Sequence, residues 1–230
     1  ETFNEIQDGK WGNGTNRTDG GAQYNTLNHW NQVALDAIRA TGGKNLTRFV
    51  GIPGYVTQPH LTAPYLVLPT DPTPNRLMVA VHSYDPWDYA GSGKYSEWGH
   101  TGKDDVCPDG DEAAYISMLK LLYDTYITKN IPVYFGEFGC VHRSDEKAEA
   151  FRKYYLEYVC HAFREYKMTG FFWDNGYYID GGDDAFGLIN HGTGEWIYNG
   201  EEIVKIMVDA WNNTDPAYTL DSIYSKAPVF

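Results

Sequence analysis

The amino-acid sequence predicts an α/β fold in which a largely parallel sheet is covered by helices. Along the 230 residues, short apolar runs alternate with longer amphipathic segments that are typical of helices. The apolar runs are nearly continuous, which is typical of parallel strands that are buried on both faces. Hydrophobic residues make up 42% of the chain and charged residues 21%, the balance of an ordinary folded protein with a substantial core.

Five of the apolar runs are predicted strands. They are residues 1–6, interpreted as the end of a strand, and residues 45–52, 76–84, 131–138 and 169–174. Five strand units fit either an open α/β sheet or part of an eight-stranded barrel, which would need three further units. The strand pattern by itself leaves both architectures open.

Four amphipathic segments are predicted helices: residues 25–40, 111–129, 145–168 and 201–212. Gly42 and Gly43 end the first of them, and Ser144 is the candidate N-cap of the third. Residues 53–74 are too rich in proline for a long helix. The tail after residue 212 receives no assigned element.

Composition narrows the class of partner. The formal net charge is −13 and Lys and Arg are not clustered, so nucleic acid is a poor partner, whereas a neutral polysaccharide meets no electrostatic objection. Aromatic residues reach 16%, which suits either an aromatic core or stacking against sugar rings. No run of about 18 apolar residues occurs, so no membrane span is expected. Cys107, Cys140 and Cys160 lack the spacing of a metal site and are expected to be buried thiols, although one pair could bridge.

Polar or aromatic side chains stand where the predicted strands end. These candidate site residues are Asn4, Glu5, His82, Tyr84, Glu137 and Trp173. The carboxyl ends of parallel strands meet at one edge of a sheet, so residues there are candidates for chemistry. Two carboxylates on separate strands suit glycoside hydrolysis, in which one carboxyl group is an acid and the other a nucleophile or base. Their separation, which decides between retention and inversion, is not encoded in the sequence pattern.

Four short motifs carry a resemblance to a known family. They are Phe3-Asn4-Glu5-Ile6, His82-Ser83-Tyr84, Phe135-Gly136-Glu137-Phe138-Gly139 and Trp173. In order and spacing they resemble the fourth to eighth strands of glycoside hydrolase family 5. Residues 3–12 (FNEIQDGKWG) resemble its subfamily 4, which contains endo-β-1,4-glucanases and xyloglucanases and, like this chain, departs from the family's usual Pro at the position of Ile6.

The resemblance implies a fold and a function. The fold is a (β/α)8 TIM barrel, of which residues 1–230 would be a single catalytic-domain portion with about five of the eight βα units. The function is retaining, endo-acting hydrolysis of β-1,4-glucan-type polysaccharides such as cellulose, mixed-linkage glucan or xyloglucan. The protein would be secreted, periplasmic or at the cell surface, and would need no cofactor or metal.

The resemblance also implies a role for each motif residue. Glu5 would be the acid/base and Glu137 the nucleophile. Tyr84 would orient Glu137, with His82 beside the carboxylates. Two further residues would bind substrate: Asn4 through the sugar 2-hydroxyl, and Trp173 as a stacking platform.

Other features allow a functional and a structural interpretation. Trp11, Trp87 and Trp98 lie in predicted loops, where they either line the rim of the site or anchor the loops. Residues 174–184 (DNGYYIDGGDD) cluster oxygen ligands but lack the spacing of an EF-hand, so a solvated acidic loop is favoured over a calcium site.

The family's first three strands have no counterpart in residues 1–230, which raises an expectation about partners. An open sheet leaves unpaired N–H and C=O groups along its edges. The chain is therefore expected to be a fragment of a longer protein, or to associate with a complementary N-terminal fragment or with a copy of itself. The alternative to an enzyme is a non-catalytic carbohydrate-binding remnant or an inactive fragment. A dinucleotide-dependent oxidoreductase is disfavoured because no Gly-rich fingerprint follows a predicted strand.

Overall fold

The computed structural model describes residues 1–9, 21–179 and 183–230. Its strands are β1 (Val50–Pro53), β2 (Leu77–Ser83), β3 (Val133–Phe138) and β4 (Thr169–Phe172). Its helices are α1 (Ala22–Ala40), α2 (Pro59–Tyr65), α3 (Trp87–Ala90), α4 (Glu112–Thr125), α5 (Glu146–Glu165), α6 (Gly200–Asn212) and α7 (Leu220–Tyr224). The chain forms two compact units, the first made of Glu1–Ser83 and Lys120–Gly136 and the second of Tyr84–Leu119 and Glu137–Phe230.

The first unit is built on parallel strands in the order β1-β2-β3. β1 pairs with β2 in parallel, in a register that runs from Val50 opposite Leu77 to Pro53 opposite Ala80. On the other side of β2, the N–H of Val79 donates to the carbonyl of Pro132 at 2.8 Å, just before β3 begins. The continuous burial of β1 agrees with the expectation that apolar runs here are strands covered on both faces.

Helix α1 covers this sheet because its apolar residues recur at helical spacing. Leu35 packs with Val50 and Ile52 of β1 in one buried cluster, and Tyr24 and Leu27 form part of a second cluster. The Pro-rich connection contains only the seven-residue helix α2, which begins at Pro59. Proline is tolerated in the first turn because the N–H it lacks would have no partner within the helix. The absence of a long helix in this segment is as predicted.

Residues 1–6 do not form the predicted strand. One backbone hydrogen bond, from the N–H of Thr2 to the carbonyl of Gly51 at 3.1 Å, places this segment alongside β1. The backbone of Glu5 then turns into the left-handed region, with φ of 45°. Non-glycine residues rarely adopt this conformation, which interrupts extended backbone. The prediction of a strand end is therefore wrong in its geometry, although the segment lies where a strand would.

A buried ion pair connects α1 to the segment before β2. Arg39 donates to both carboxylate oxygens of Asp71, at 2.9 and 2.6 Å, and to the carbonyl oxygens of Asn45 and Arg48. The two side chains are only 4% and 5% exposed. The hydrogen bonds from Arg39 lower the pKa of Asp71 from its ordinary value of 3.8, against the opposing effect of burial.

We predict that Asp71→Asn destabilises the protein by about 3 kcal/mol, because it leaves the buried charge of Arg39 without its counterion. The folded-state pKa of Asp71 is lowered, so the carboxylate's contribution is complete at neutral pH and is lost as the pH falls below about 4. Urea unfolding at pH 7 and pH 3 measures both effects. The control is Asp36→Asn, at an exposed position of α1. It removes the same charge and should change stability by less than about 0.5 kcal/mol. An equal loss in both variants would contradict the prediction.

The second unit is organised around α5. This helix contacts α6, α7 and β4, and most of its inward-facing residues are fully buried. Its N-cap is Asp145, whose side chain accepts a hydrogen bond from the N–H of Ala148 at 3.0 Å. The predicted N-cap, Ser144, is thus one residue too early. The carboxylate serves better at this position because it also complements the positive end of the helix dipole.

All three cysteines are buried free thiols in the structure. Burial raises the pKa of Cys140 to about 11, so this thiol is protonated at neutral pH. Among the described residues, no helix combines the length and apolarity needed to cross a bilayer.

Candidate active site

The first unit places Glu5 against the end of β2. His82 is the second-last residue of this strand and is 5% exposed. Its Nδ1 lies 2.8 Å from Oε1 of Glu5, and its Nε2 lies 3.2 Å from Oε1 of Glu1. A buried imidazole needs hydrogen-bond partners, and here carboxylates occupy both ring nitrogens. The predicted proximity of His82 to Glu5 is therefore present in the structure, together with an acidic residue that the motif analysis did not single out.

Backbone contacts hold Glu5 in its unusual conformation. Its N–H donates to Oγ1 of Thr57 at 3.3 Å, and the N–H of Val56 donates to the carbonyl of Ile6 at 3.0 Å. Strained backbone of this kind persists only when the surroundings determine it, and it is frequent at functional sites. Asn4, immediately before, is exposed, and its contact with a sugar hydroxyl stays a prediction.

The second unit places Glu137 against Tyr84. The phenolic O–H of Tyr84 donates to Oε2 of Glu137 at 2.8 Å. The Tyr84 ring packs edge-on to Trp87 and lies 5.1 Å from the ring of Phe186. At Gly139, a Cβ would come within 2.9 Å of Phe186, so glycine is needed for this packing. The predicted proximity of Tyr84 to Glu137 is thus present in the structure, and its role in orienting a nucleophile stays a prediction.

Trp173 follows β4 and is 44% exposed, as a stacking platform must be. Its backbone N–H donates to the carbonyl of Phe138 at 2.8 Å, which fixes it beside the end of β3. The next residue, Asp174, accepts hydrogen bonds from the N–H groups of Gly176, Leu188 and Ile189.

Asp174 does not belong to a merely solvated acidic loop, as predicted for residues 174–184, because its carboxylate accepts these three backbone hydrogen bonds. Its carboxylate organises the chain on both sides of the loop, behind Trp173. The contact with Gly176 is an Asx-turn, which is readable locally from an Asp followed two residues later by Gly. The contacts with residues 188 and 189 had no local signal.

Of the two rim candidates that lie in the described residues, Trp87 is on the surface and Trp98 is not. Trp87 is 48% exposed and contacts Tyr84, so a rim role for it stays a prediction. Trp98 is fully buried between the rings of Tyr89 and Tyr155. Of the two interpretations that the sequence left open for Trp98, the loop anchor is the one observed. Trp11 lies outside the described residues.

Further exposed aromatic residues were not found by sequence reasoning. Four of them in the second unit are Tyr177, Tyr178, Trp196 and Tyr198. Tyr198 stacks on His142 with 4.0 Å between ring centroids, which keeps its ring in place. Flat, fixed and exposed rings of this kind suit stacking against sugars. The high Tyr content was the only signal for them in the sequence.

The two local arrangements have complementary chemistry. A carboxyl group against an imidazole, as at Glu5 and His82, has a partner with which to share a proton. A carboxylate that accepts a hydrogen bond from a rigid phenol, as at Glu137, is favoured in its ionised form and is oriented for attack. One proton donor and one ionised nucleophile are the two groups that glycoside hydrolysis requires.

Comparison with known proteins places these residues in a family context. The model of the cellulase family, glycosyl hydrolase family 5, matches residues 1–179. Endoglucanase A of Paenibacillus barcinonensis is 32% identical over 206 residues, which cover 83% of this chain and 50% of that protein. A xyloglucan-specific endo-beta-1,4-glucanase of Bacteroides ovatus is 31% identical over 165 residues, which cover 67% of this chain and 33% of that protein. The chain therefore spans half or less of the length of these curated relatives.

Solved structures show the same relationship. A Bacteroidetes-affiliated GH5 cellulase linked with a polysaccharide utilization locus is 60% identical, with a TM-score of 0.94 over 98% of this chain and 62% of that chain. A GH5-4 broad specificity endoglucanase from Bacteroides salanitronis is 50% identical, with a TM-score of 0.86 over 92% of this chain and 56% of that chain. The predicted fold class, α/β of the (β/α)8 barrel type with this chain supplying part of the barrel, is confirmed.

Proposed function

The chain belongs to the cellulase family, glycosyl hydrolase family 5, and from this premise we propose that it is the catalytic part of an endo-acting hydrolase of β-1,4-glucans. The observation that carries the proposal is the held carboxylate of Glu137, with the phenol of Tyr84 at 2.8 Å, inside the matched residues. Relatives named endoglucanase and cellulase support the reaction class. We further propose that the reaction retains the configuration at the anomeric carbon.

In the proposed mechanism, Glu137 attacks the anomeric carbon of a bound glucosyl unit. Glu5 donates its proton to the glycosidic oxygen as that bond breaks. Glu137 is then esterified to the sugar, and Glu5, now ionised, takes a proton from the water that hydrolyses this ester. Two inversions at one carbon give net retention. The hydrogen bond from Tyr84 stabilises the charge that returns to Glu137 when the ester is hydrolysed.

Substrate binding is proposed to use the polar and aromatic residues next to the carboxylates. Trp173 would stack against the glucosyl unit at the cleaved bond, and Asn4 would hydrogen-bond its 2-hydroxyl. Relatives include a xyloglucan-specific glucanase and a broad specificity endoglucanase, so the proposed substrates share a β-1,4-linked glucan backbone. Because such polymers are outside the cell, we also propose that the protein is secreted, periplasmic or at the cell surface.

The test is hydrolysis of carboxymethylcellulose, mixed-linkage glucan and xyloglucan, with reducing ends and viscosity measured on the same samples. Endo-acting cleavage lowers viscosity well before reducing ends accumulate. Proton NMR of the first product formed from a cello-oligosaccharide reports the anomeric configuration. Early appearance of the α-anomer would contradict a retaining mechanism.

The exposed faces of Trp87 and Trp173 also favour a second candidate, a carbohydrate-binding module without turnover. Binding to the same polymers with no new reducing ends would support it. We also propose a partner: a complementary N-terminal fragment or a second copy would cover the sheet edge beside residues 1–6, which lie alongside β1. Measurement of molecular mass in solution, with and without such a fragment, tests this.

A further inference from the structure

Glu1 contacts the buried imidazole of His82 in the first unit, and neither the motifs nor the proposed mechanism assigns a role to Glu1. Contacts of 3.2 and 2.8 Å to the two ring nitrogens connect Glu1 through His82 to Glu5. The imidazole is 4% exposed and each carboxylate side chain 20% exposed. Because the imidazole of His82 is nearly excluded from solvent, the protons held by the three groups decide which of these contacts are hydrogen bonds.

Counting protons shows what this arrangement requires. A neutral imidazole carries one N–H, so it can donate to only one of the two carboxylates. Both contacts are hydrogen bonds only when the three groups together hold two protons. Either His82 is an imidazolium between two carboxylates, or it is neutral and one carboxyl group keeps its own proton.

The structure makes room for the Glu1–His82 contact specifically. A Cβ at Gly136 would lie 3.0 Å from Nε2 of His82 and 3.1 Å from Oε2 of Glu1, so the absence of a side chain there lets the pair form. On β3, Tyr134 also faces this group, and its hydroxyl lies where a Cβ on Gly51 would be. Burial, together with the charge of Glu1, raises the pKa of the Tyr134 phenol, which therefore stays neutral. In the first unit, Glu5 and Glu1 contact the two ring nitrogens of His82, and the Tyr134 phenol interacts with Glu1.

We propose that Glu1 is a positioning residue that fixes the proton of Glu5. Its carboxylate accepts the Nε2–H of His82, so Nδ1 is left as the partner that shares the proton of Glu5. The opposite tautomer would donate from Nδ1 to Glu5 and favour its ionised form, which cannot act as an acid. The negative charge of Glu1 also holds the second proton in the cluster to higher pH. This role rests on the proposed function, in which Glu5 must begin the reaction protonated.

Two measurements on the full chain test the proposal. Long-range proton–nitrogen NMR of histidine in the protein without substrate identifies the tautomer of His82. We expect Nε2 to be protonated. We also expect Glu1→Gln to lower the pH at which the cluster loses its second proton by about one unit or more, because a nearby like charge raises the pKa of a carboxyl group and the variant removes that charge. Glu1→Asp keeps the charge and should restore most of the shift. Asp36→Asn, an exposed loss of the same charge in the same unit, should leave the titration within about 0.2 units because solvent screens it.

The second measurement is the pH profile of kcat/KM on a soluble glucan. The basic limb reports loss of the acid proton, so Glu1→Gln should move it to lower pH by the same amount, with KM unchanged at low pH. An Nδ1–H tautomer, or equal titrations in Glu1→Gln and Asp36→Asn, overturns the proposal. A titration shift without a matching shift of the basic limb overturns the role of Glu1 in the reaction. A titration shift in a protein that hydrolyses no glucan instead counts against the proposed function and leaves the positioning of the proton standing.

Discussion

Glu137→Ala is expected to lower kcat on β-1,4-glucans by a factor of at least about 10⁴, the scale of removing a nucleophile from a covalent mechanism. Without the carboxylate no glycosyl ester forms, and the remaining groups can only bind the substrate and protonate its leaving oxygen. Glucan binding should be retained, because Trp173 and the other exposed aromatic residues are unchanged. Reducing-end release with parent and variant at equal concentration measures the loss.

Rescue of activity by azide distinguishes the loss of a nucleophile from the loss of an acid. In the space left by Glu137→Ala, azide can attack the anomeric carbon of a β-aryl glycoside with a good leaving group. One inversion gives an α-glycosyl azide. A β-glycosyl azide, or activity within tenfold of the parent, would show that Glu137 is not the nucleophile.

Two controls separate chemistry from folding. Glu137→Gln keeps the shape of the side chain and should lose as much activity as Glu137→Ala while unfolding at nearly the same urea concentration. Tyr84→Phe removes only the donor to Glu137. A hydrogen bond to a charged group contributes about 1.5–3 kcal/mol, so this variant should lose about 10- to 100-fold in kcat.

The spacing of apolar residues was sufficient to predict those strands and helices whose buried face is determined within the element itself. The apolar runs that became β2 and β3, and the helical spacing of α1 and α5, fix which face is buried without reference to distant residues. The N-terminal boundary of α5 was missed by one residue because both Ser144 and Asp145 are good caps, and the choice depends on how the chain approaches the helix.

The strand expected at residues 1–6 failed for a non-local reason. Its composition suits a strand, but the backbone of Glu5 is turned by contacts with Thr57 and with the segment around Val56, some 50 residues away. The interpretation of Trp98 stayed open for a similar reason, because an indole in a loop has the same local pattern whether it faces solvent or the rings of Tyr89 and Tyr155. Packing partners distant in sequence decide both outcomes.

The motifs predicted the two carboxylates together with their nearest partners. What they could not give was the second contact of His82, because no spacing rule links residue 1 to residue 82. Asp174 illustrates the same limit, since two of its three backbone partners lie 14 and 15 residues further along the chain. Sequence motifs thus point to the groups that are proposed to react, whereas further contacts of those groups emerge only from the fold.

Glu5→Ala is expected to lower kcat on polysaccharides by about 10²- to 10⁴-fold, the usual contribution of a positioned proton donor. The loss depends on the substrate, which distinguishes it from the loss in Glu137→Ala. When a glucan is cleaved, the leaving group is a sugar alkoxide, which leaves poorly unless it is protonated. A dinitrophenolate leaves without a proton. The first step should therefore stay fast on a dinitrophenyl cellobioside, and release of the phenolate measures it.

The second step separates the two roles further. Hydrolysis of the glycosyl ester needs a base, and Glu5→Ala has none, so phenolate should appear in a burst followed by slow turnover. Mass spectrometry of the protein should then show the added sugar, attached at Glu137. Azide, which needs no base, should restore turnover and give a β-glycosyl azide through two inversions. The basic limb of the pH profile should disappear, because the group that lost its proton there is gone. An α-glycosyl azide, or an equal loss on both substrates, would assign Glu5 another role. The proposed positioning of its proton by Glu1 through His82 would then have no part in the reaction.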